Sequence, residues 1–362
     1  MFLKHLILTK FRNYTNLDIE FDHRPTILVG NNASGKSNLL EAIYLLSTTK
    51  SQRVETEDEL IKEGEEFARV EGFLEIDTEL MVLINRPTPE ISFRKRVLVN
   101  GISKRVVDFI GNLPAVIFYP SDINMVTGSP SLRRWHLDLA LAQIDSGYKK
   151  SLTLYEQFLI SRNKVLKRIR EGYARNDELD YWNSELLKLG RIISDKRREF
   201  FEFVSSIRTP LGTFDFKYQP SLLSEDRLSL YNGKEIAAAA TLIGPHRDDF
   251  VVEALSEVEG QRFSRNLAHF GSRGEQRTAT LAFKLSQLEY MAKILGKRPI
   301  LLLDDIFSEL DADHRAHVVE VVGKQQTIIA TVELEHIPKK FLDSARILRV
   351  ENSKITNYSS SD

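Results

Sequence analysis

The spacing of apolar residues changes rhythm along the chain, and each rhythm predicts a different kind of element. Near the N-terminus Leu6–Leu8, Leu17–Phe21 and Pro25–Val29 are short β-rich runs separated by turn residues. Thr26–Val29 carries no charge and reads as a strand covered on both faces. A helix is expected over about Lys36–Ser47, because Leu39, Leu40, Ile43 and Leu46 fall on one face at helical spacing. Glu55–Glu66 holds seven acids and one lysine, which reads as a solvated face or loop. Ala68–Val99 then alternates like a meander of antiparallel strands.

The rhythm lengthens after Tyr119 and the Gly128-Ser129-Pro130 turn. From Ser131 to about Ser206 several helices are expected. Leu152, Tyr155, Leu159, Leu166 and Ile169 make one stripe, and Leu186, Leu189, Ile192 and Ile193 another. Neither heptad runs long enough for an extended coiled coil. After Pro210 strand patterns return at Thr213–Tyr218 and Phe250–Glu253. A helix over about Glu275–Leu295 follows, then strand candidates at Pro299–Leu303, Gln326–Ala330 and Arg346–Val350. Ser359–Asp362 is expected to fray. The two strand-rich ends predict one domain with the helices inserted between them.

Composition narrows the class. The chain has 362 residues, 42% hydrophobic and 28% charged, so it can bury a sizeable core and is expected to form two domains. Its 50 basic and 51 acidic residues leave a formal charge of -1, so nucleic-acid binding would need a local basic patch. The absence of cysteine excludes disulfides, a thiolate zinc site and a cysteine nucleophile. It also fits a cytoplasmic protein. No apolar run approaches the roughly 20 residues of a membrane span.

Gly30-Asn31-Asn32-Ala33-Ser34-Gly35-Lys36-Ser37 matches G-x-x-x-x-G-K-[ST], between a strand candidate and a helix candidate. Glycines there let backbone N–H groups surround a phosphate chain, and the helix N-terminus adds partial positive charge. Lys36 would reach the β- and γ-phosphates of ATP, and the Ser37 hydroxyl would bind Mg²⁺. Ile300–Asp305 is an apolar strand ending in two acids. Asp304 is placed to hold Mg²⁺, and Asp305 to orient or deprotonate the attacking water. Ser272-Arg273-Gly274-Glu275-Gln276-Arg277 opens a helix just upstream and supplies a second anion site.

One nucleotide needs one phosphate loop, so the second site suggests a phosphate carried by another subunit. The S-x-G-[EQ]-Q-R form resembles the signature of ABC-type ATPases, which close as head-to-tail dimers. Ser308-Glu309-Leu310-Asp311 looks like their D-loop. Transport ATPases usually carry a His after the next strand, where this chain has Thr331. The loop and Asp304 are about 260 residues apart, which leaves room for an insertion. Both features point to the chromosome-maintenance and repair branch. A transport ATPase with a membrane partner is the alternative, and a scaffold that binds ATP without hydrolysing it is a further one.

Within that branch the chain resembles the RecF family of bacterial recombination and repair proteins. The resemblance rests on Phe11-Arg12-Asn13-Tyr14, Leu39–Leu46 and Lys50–Arg53. It extends to Gly128-Ser129-Pro130 with Arg133-Arg134, to Gly244-Pro245-His246-Arg247-Asp248-Asp249, and to Asp304-Asp305 with Ser308–Asp311. Three departures stand out. Ala33 and Gln52 replace a common Gly and Phe, and Glu275 stands where Gln is frequent.

The resemblance implies an α/β fold: an ABC-type P-loop ATPase head of residues 1–118 and 207–362, with an inserted helical arm of residues 119–206. It implies a weak, DNA-dependent ATPase. Mg-ATP would join two copies into a homodimer on gapped or junction DNA, and slow hydrolysis would release it. The partners implied are RecR and RecO, and indirectly RecA, with no membrane. The site residues carried over are Gly30 to Ser37 for ATP, Ser37 and Asp304 for metal, Lys36 and Asp305 for catalysis, and Ser272 and Gly274 in trans. Arg53 is a weaker candidate for a phosphate contact. DNA contacts are not legible. Arg162–Arg175, with six basic residues and one acid, reads either as a phosphate-binding strip or, more commonly, as a solvated helix face. His246 is read as a hydrogen-bonding member of the fold rather than a switch.

Overall fold

The computed structural model describes residues 2–87, 93–207, 209–258 and 261–358. It divides into two compact units, Met1–Asp122 with Lys284–Asp362, and Ile123–Phe283.

The first unit holds two sheets. One is antiparallel and is built from β1 (Leu3–Phe11), β2 (Tyr14–Glu20), β4 (Phe67–Leu74), β5 (Glu79–Asn85), β6 (Lys95–Val99) and β7 (Ile102–Lys104), in the order β2-β1-β4-β5-β6-β7. The expected meander is therefore present; its residues 88–92 lie outside the described residues. The other sheet is built from β3 (Thr26–Val29), β8 (Ala115–Phe118), β12 (Ile300–Asp304), β13 (Thr327–Thr331), β14 (Arg346–Glu351) and β15 (Lys354–Asn357), in the order β15-β14-β3-β13-β12-β8. All its pairings are parallel except the terminal β14–β15 hairpin. Every residue of β3, β8, β12 and β13 is buried, as parallel strands covered on both faces require. The pattern reading did not single out β8, which forms the edge.

β13 separates β3 from β12. The loop leaving β3 and the acids ending β12 thus reach the same carboxyl edge of the sheet, about 10 Å apart across one intervening strand. That edge is where open α/β sheets bind ligands.

The helix Lys36–Thr48 matches its expected span and buries the expected face, and it buries the opposite face as well. It packs on β8, β12 and β13 of the parallel sheet and on β1, β4 and β5 of the antiparallel one. Leu39 to Thr48 are consequently all buried, Glu41 included. The approach to β4 is close: a Cβ at Gly72 would lie 2.6 Å from Leu46 Cδ1. The acid-rich loop is tied down rather than free. Glu57–Leu60 is a 3₁₀ turn with a Thr56–Glu59 capping box, and Glu57, Asp58 and Glu65 pair with Lys95, Arg94 and Lys10.

The second unit contains the helices Pro130–Ala142, Ser146–Arg170, Asp180–Ser206 and Glu225–Ala238, and the sheet β11-β10-β9 of β9 (Phe214–Gln219), β10 (Asp249–Val258) and β11 (Gln261–Asn266). Ser129 and Asp145 cap the first two helices through the Leu132 and Tyr148 N–H groups. The two long helices pack together and bury Tyr155, Leu166, Leu186 and Ile193, whereas Ile192 of the expected stripe is 39% exposed. The helix Glu225–Ala238 was not foreseen. Its apolar positions are few, and only Leu228 and Glu235 are buried.

The compact units divide the chain differently from the expected arm of residues 119–206. Residues 207–283 fold with the helices, and the cause is an aromatic core. Phe201 of the last long helix stacks on Tyr218 of β9 at 5.2 Å and lies 5.0 Å from Phe250 of β10. Phe283 stacks on Phe250 at 5.3 Å. The expected frayed tail lies outside the described residues. Among the described residues, no helix is long and apolar enough to cross a membrane.

Candidate active site

The phosphate loop runs from the end of β3 into the helix Lys36–Thr48, and its two terminal glycines are dictated sterically. A Cβ on Gly30 would lie 2.2 Å from the Val350 carbonyl oxygen of β14. Gly35 has φ 118°, and a Cβ there would meet Tyr14 Oη at 2.7 Å. Ala33 also has a left-handed backbone, φ 63°. The methyl at this position is therefore a source of strain that glycine would avoid.

The β1–β2 turn braces the loop. Arg12 and Asn13 form this two-residue turn, with Arg12 at φ 54°. The Tyr14 hydroxyl donates to the Gly35 carbonyl at 3.1 Å, and Asn13 Nδ2 donates to the Ser34 carbonyl at 3.4 Å. Burial pushes the Tyr14 hydroxyl pKa above its ordinary value, so it stays protonated and able to donate.

Lys36 Nζ donates to the carbonyls of Gly30 and Asn31 at 2.7 and 2.9 Å. Burial lowers its pKa, while Asp304 and Asp305 oppose that shift. Ser37 Oγ donates to Asp304 Oδ1 at 2.9 Å. Burial raises the Asp304 carboxyl, and the Ser37 hydrogen bond and the Arg53 charge pull it back. Asp305 has a left-handed backbone, φ 49°, with its N–H donated to the Ala330 carbonyl at 2.8 Å. Among the described residues its Oδ1 is buried without a hydrogen-bond partner, and so is Ser34 Oγ. Strained backbone and unsatisfied buried oxygens together are features of ligand-binding edges.

The residues fit a magnesium ion. Cis oxygens on an octahedral Mg²⁺ are about 3 Å apart, because each bond is about 2.1 Å. Ser37 Oγ and Asp304 Oδ1 have this separation. Among the described residues no group of three or more His, Cys, Asp and Glu could hold a metal.

Lys36, Ser37, Asp304 and Asp305 thus come together in the first unit, whereas Ser272 and Gly274 belong to the second. Both are exposed at the start of the helix Arg273–Leu295. Ser272 and Glu275 form a reciprocal box: the Glu275 N–H donates to Ser272 Oγ at 3.3 Å, and the Ser272 N–H donates to Glu275 Oε2 at 2.8 Å. The glutamate departure therefore completes a cap. In the D-loop candidate, Asp311 caps the helix Ala312–Val322 through the His314 N–H at 2.9 Å, and Ser308 Oγ donates to the Asp305 carbonyl at 2.9 Å.

Arg53 is not an ordinary surface arginine. Its Nη1 donates to Asn38 Oδ1 at 2.9 Å and to Glu41 Oε2 at 3.1 Å. Asn13, Asn38 and Glu41 escaped the reading as site residues. A lone carboxylate inside the apolar run Leu39–Leu46 is the signal that would have found Glu41.

Of the six basic residues in Arg162–Arg175, five are exposed on a solvated face and one is withdrawn from it. Arg162 is fully buried, and its Nη2 donates to buried Glu235 Oε2 at 2.7 Å. Arg168 and Arg175 pair with Glu178 and Asp177. In the G-P-H-R-D-D block, Asp248 accepts from Arg197 Nη1 at 2.8 Å, and Asp249 takes both Nε and Nη2 of Arg133. His246 Nε2 donates to the Thr241 carbonyl at 3.0 Å, and Nδ1 accepts from Tyr155 at 2.9 Å. Burial lowers its pKa to about 4, so it is neutral. These partners give it a structural role.

The model of the RecF/RecN/SMC N-terminal domain matches residues 2–356. A DNA replication and repair protein RecF from Roseiflexus castenholzii is 34% identical, over 98% of this chain and 99% of that one. Its counterpart from Macrococcus caseolyticus is 33% identical, over 98% and 100%. A solved structure of a recombination mediator protein RecF with ATP, in the RecFOR pathway, superposes with a TM-score of 0.84 at 27% identity, covering 99% of this chain and 97% of that one. A solved Smc head bound to the C-terminal winged-helix domain of ScpA shares the fold alone, with a TM-score of 0.54 at 18% identity. With its phosphate loop, its paired acids and a family match over nearly its whole length, this chain belongs to the RecF branch of the RecF/RecN/SMC family.

Proposed function

We propose that this chain is an ATP-dependent DNA-binding protein of recombinational repair and replication-fork maintenance. Two copies close head to tail on gapped DNA with Mg-ATP at their interface, and slow hydrolysis opens them. The observation that carries the reading is Ser37 Oγ held 2.9 Å from Asp304 Oδ1, beside a phosphate loop whose Ser34 hydroxyl has no partner among the described residues.

The loop N–H groups and Lys36 neutralise the phosphate chain. Lys36 exchanges the Gly30 and Asn31 carbonyls for phosphate oxygens. Ser37 and Asp304 would hold Mg²⁺, which would supply charge neutralisation to the phosphate chain. Asp305 orients the attacking water and accepts its proton through the carboxylate oxygen that lacks a partner. Ser272 and Gly274 of one copy offer their helix N-terminus to the γ-phosphate bound by the other. The solved relative, a recombination mediator in the RecFOR pathway, supports RecR and RecO as partners, and loading of RecA is the outcome proposed for them.

Fluorescence anisotropy on a gapped duplex, with and without Mg-ATP and at two salt concentrations, tests the reading. Salt-sensitive binding that strengthens with ATP is expected. Ser272→Arg is expected to bind ATP normally and to form no nucleotide-dependent dimer by light scattering. Normal dimerisation of that variant would remove the role in trans.

A further inference from the structure

Glu41 is the only acid on the helix Lys36–Thr48, and it is 1% exposed. Its Oε1 accepts from Arg12 Nη2 at 2.8 Å and from Ser51 Oγ at 2.5 Å. Its Oε2 accepts from Arg12 Nε at 2.9 Å and from Arg53 Nη1 at 3.1 Å. One carboxylate is thus shared by two guanidiniums, which leaves local positive charge in excess. A buried carboxylate needs one counter-ion to offset its desolvation, and the bidentate Arg12 already supplies it. The second arginine is half-exposed, where an ion pair adds little stability. Even so, Arg53 is fixed from two sides, by Glu41 and by Asn38, the residue after Ser37. Its charge also reaches Asp304.

We propose that Glu41 is a positioning residue for nucleotide binding, clamping Arg12 and Arg53 so that the Arg53 guanidinium meets the phosphate chain already oriented. The inference rests on the nucleotide reading above. A preorganised guanidinium loses less side-chain freedom when it binds an anion, so affinity depends on the clamp as well as on the charge. Glu41 itself is negative and helps only through Arg12 and Arg53. Electrostatics alone would make its removal favourable to ATP, so the two accounts differ in sign.

The test is a double-mutant cycle on the dissociation constant of a non-hydrolysable ATP analogue with Mg²⁺, using the full chain, with melting curves to confirm folding. Glu41→Gln and Arg53→Gln are each expected to weaken binding about tenfold, and the double variant no further than the weaker single one. Multiplicative losses, or Glu41→Gln binding as tightly as the parent or tighter, would overturn the positioning role. If Glu41→Gln does not fold, Ser51→Ala carries the test. It removes one of the four bonds to Glu41 and the 3.0 Å bond from the Arg53 N–H to Ser51 Oγ, and about a twofold to threefold weakening that vanishes in the Arg53→Gln background is expected. Unchanged affinity in Ser51→Ala overturns the proposal. A parent chain that binds no nucleotide would instead overturn the nucleotide reading itself.

Discussion

The loop edge of the parallel sheet and the Arg197 cluster of the second unit are both dense in charge, and they treat that charge in opposite ways. In the cluster, buried Arg197 donates to Asp248 Oδ2 at 2.8 Å, to Asp138 Oδ1 at 2.7 Å and to the Pro245 carbonyl at 2.7 Å. Asp248 also accepts from Tyr218 and from the Ser221 N–H, and Asp138 from Tyr148 at 2.5 Å. At the loop edge, Ser34 Oγ and Asp305 Oδ1 find no partner among the described residues, and Ala33 and Asp305 are held in left-handed conformations. A saturated network fixes a fold. An unsaturated, strained one is tolerated where a ligand completes it.

Breaking each region should therefore give different phenotypes. Arg197→Ala leaves buried Asp248 and partly exposed Asp138 without their cation and is expected to cost about 3–5 kcal/mol in urea denaturation. A loss below about 1 kcal/mol would undo the contrast. Asp305→Asn is expected to slow single-turnover hydrolysis about 10²-fold while leaving ATP affinity and melting temperature close to the parent's. Unchanged turnover would take Asp305 out of the mechanism.

His246 sharpens the comparison through pH. Its folded pKa of about 4 lies below the ordinary 6.5, so the unfolded chain takes up the proton first as pH falls. The contribution is complete above about pH 6.5 and is lost progressively toward pH 4. About 2 kcal/mol is expected to be gone at pH 5. Melting at pH 7.5 and pH 5 should show this loss, and His246→Gln should flatten it. The smallest effect belongs to Ala33→Gly, which relieves the φ 63° strain at the cost of a more flexible unfolded chain. A gain of about 1 kcal/mol or less is expected from calorimetry, and a clear loss would mean that the methyl makes a contact worth keeping.

Local sequence made the helix after the loop legible from Lys36 onward, and its start coincides with the expectation. The fully buried strands β3 and β12 were legible for the same reason: short apolar runs flanked by turn residues have few alternatives. β8 was not singled out, although Ala115–Phe118 has the same length and the same full burial as β3. The basic run from Arg162 to Arg175 keeps the solvated face its pattern favoured, except at Arg162, which is buried. Spacing gives a residue's face, but only the partner segment decides whether that face is covered, and Glu235 comes from a helix that the pattern did not reveal.

The sequence alone determined the chemistry at the edge of the parallel sheet. A loop of fixed length with Gly30 and Gly35, a lysine and a hydroxyl at set positions, and a strand ending in two acids are local patterns, and local patterns survive without knowledge of the rest of the chain. Tertiary structure alone decided which polar groups are left open. Arg162, His246 and Arg197 are used up by partners distant in sequence, Glu235, Tyr155 and Asp248. Glu41 gathers Arg12 and Arg53, which a linear reading leaves unconnected. The physical reason is burial. A charge withdrawn from water must be matched in three dimensions, and its match is set by the strands and helices that happen to enclose it.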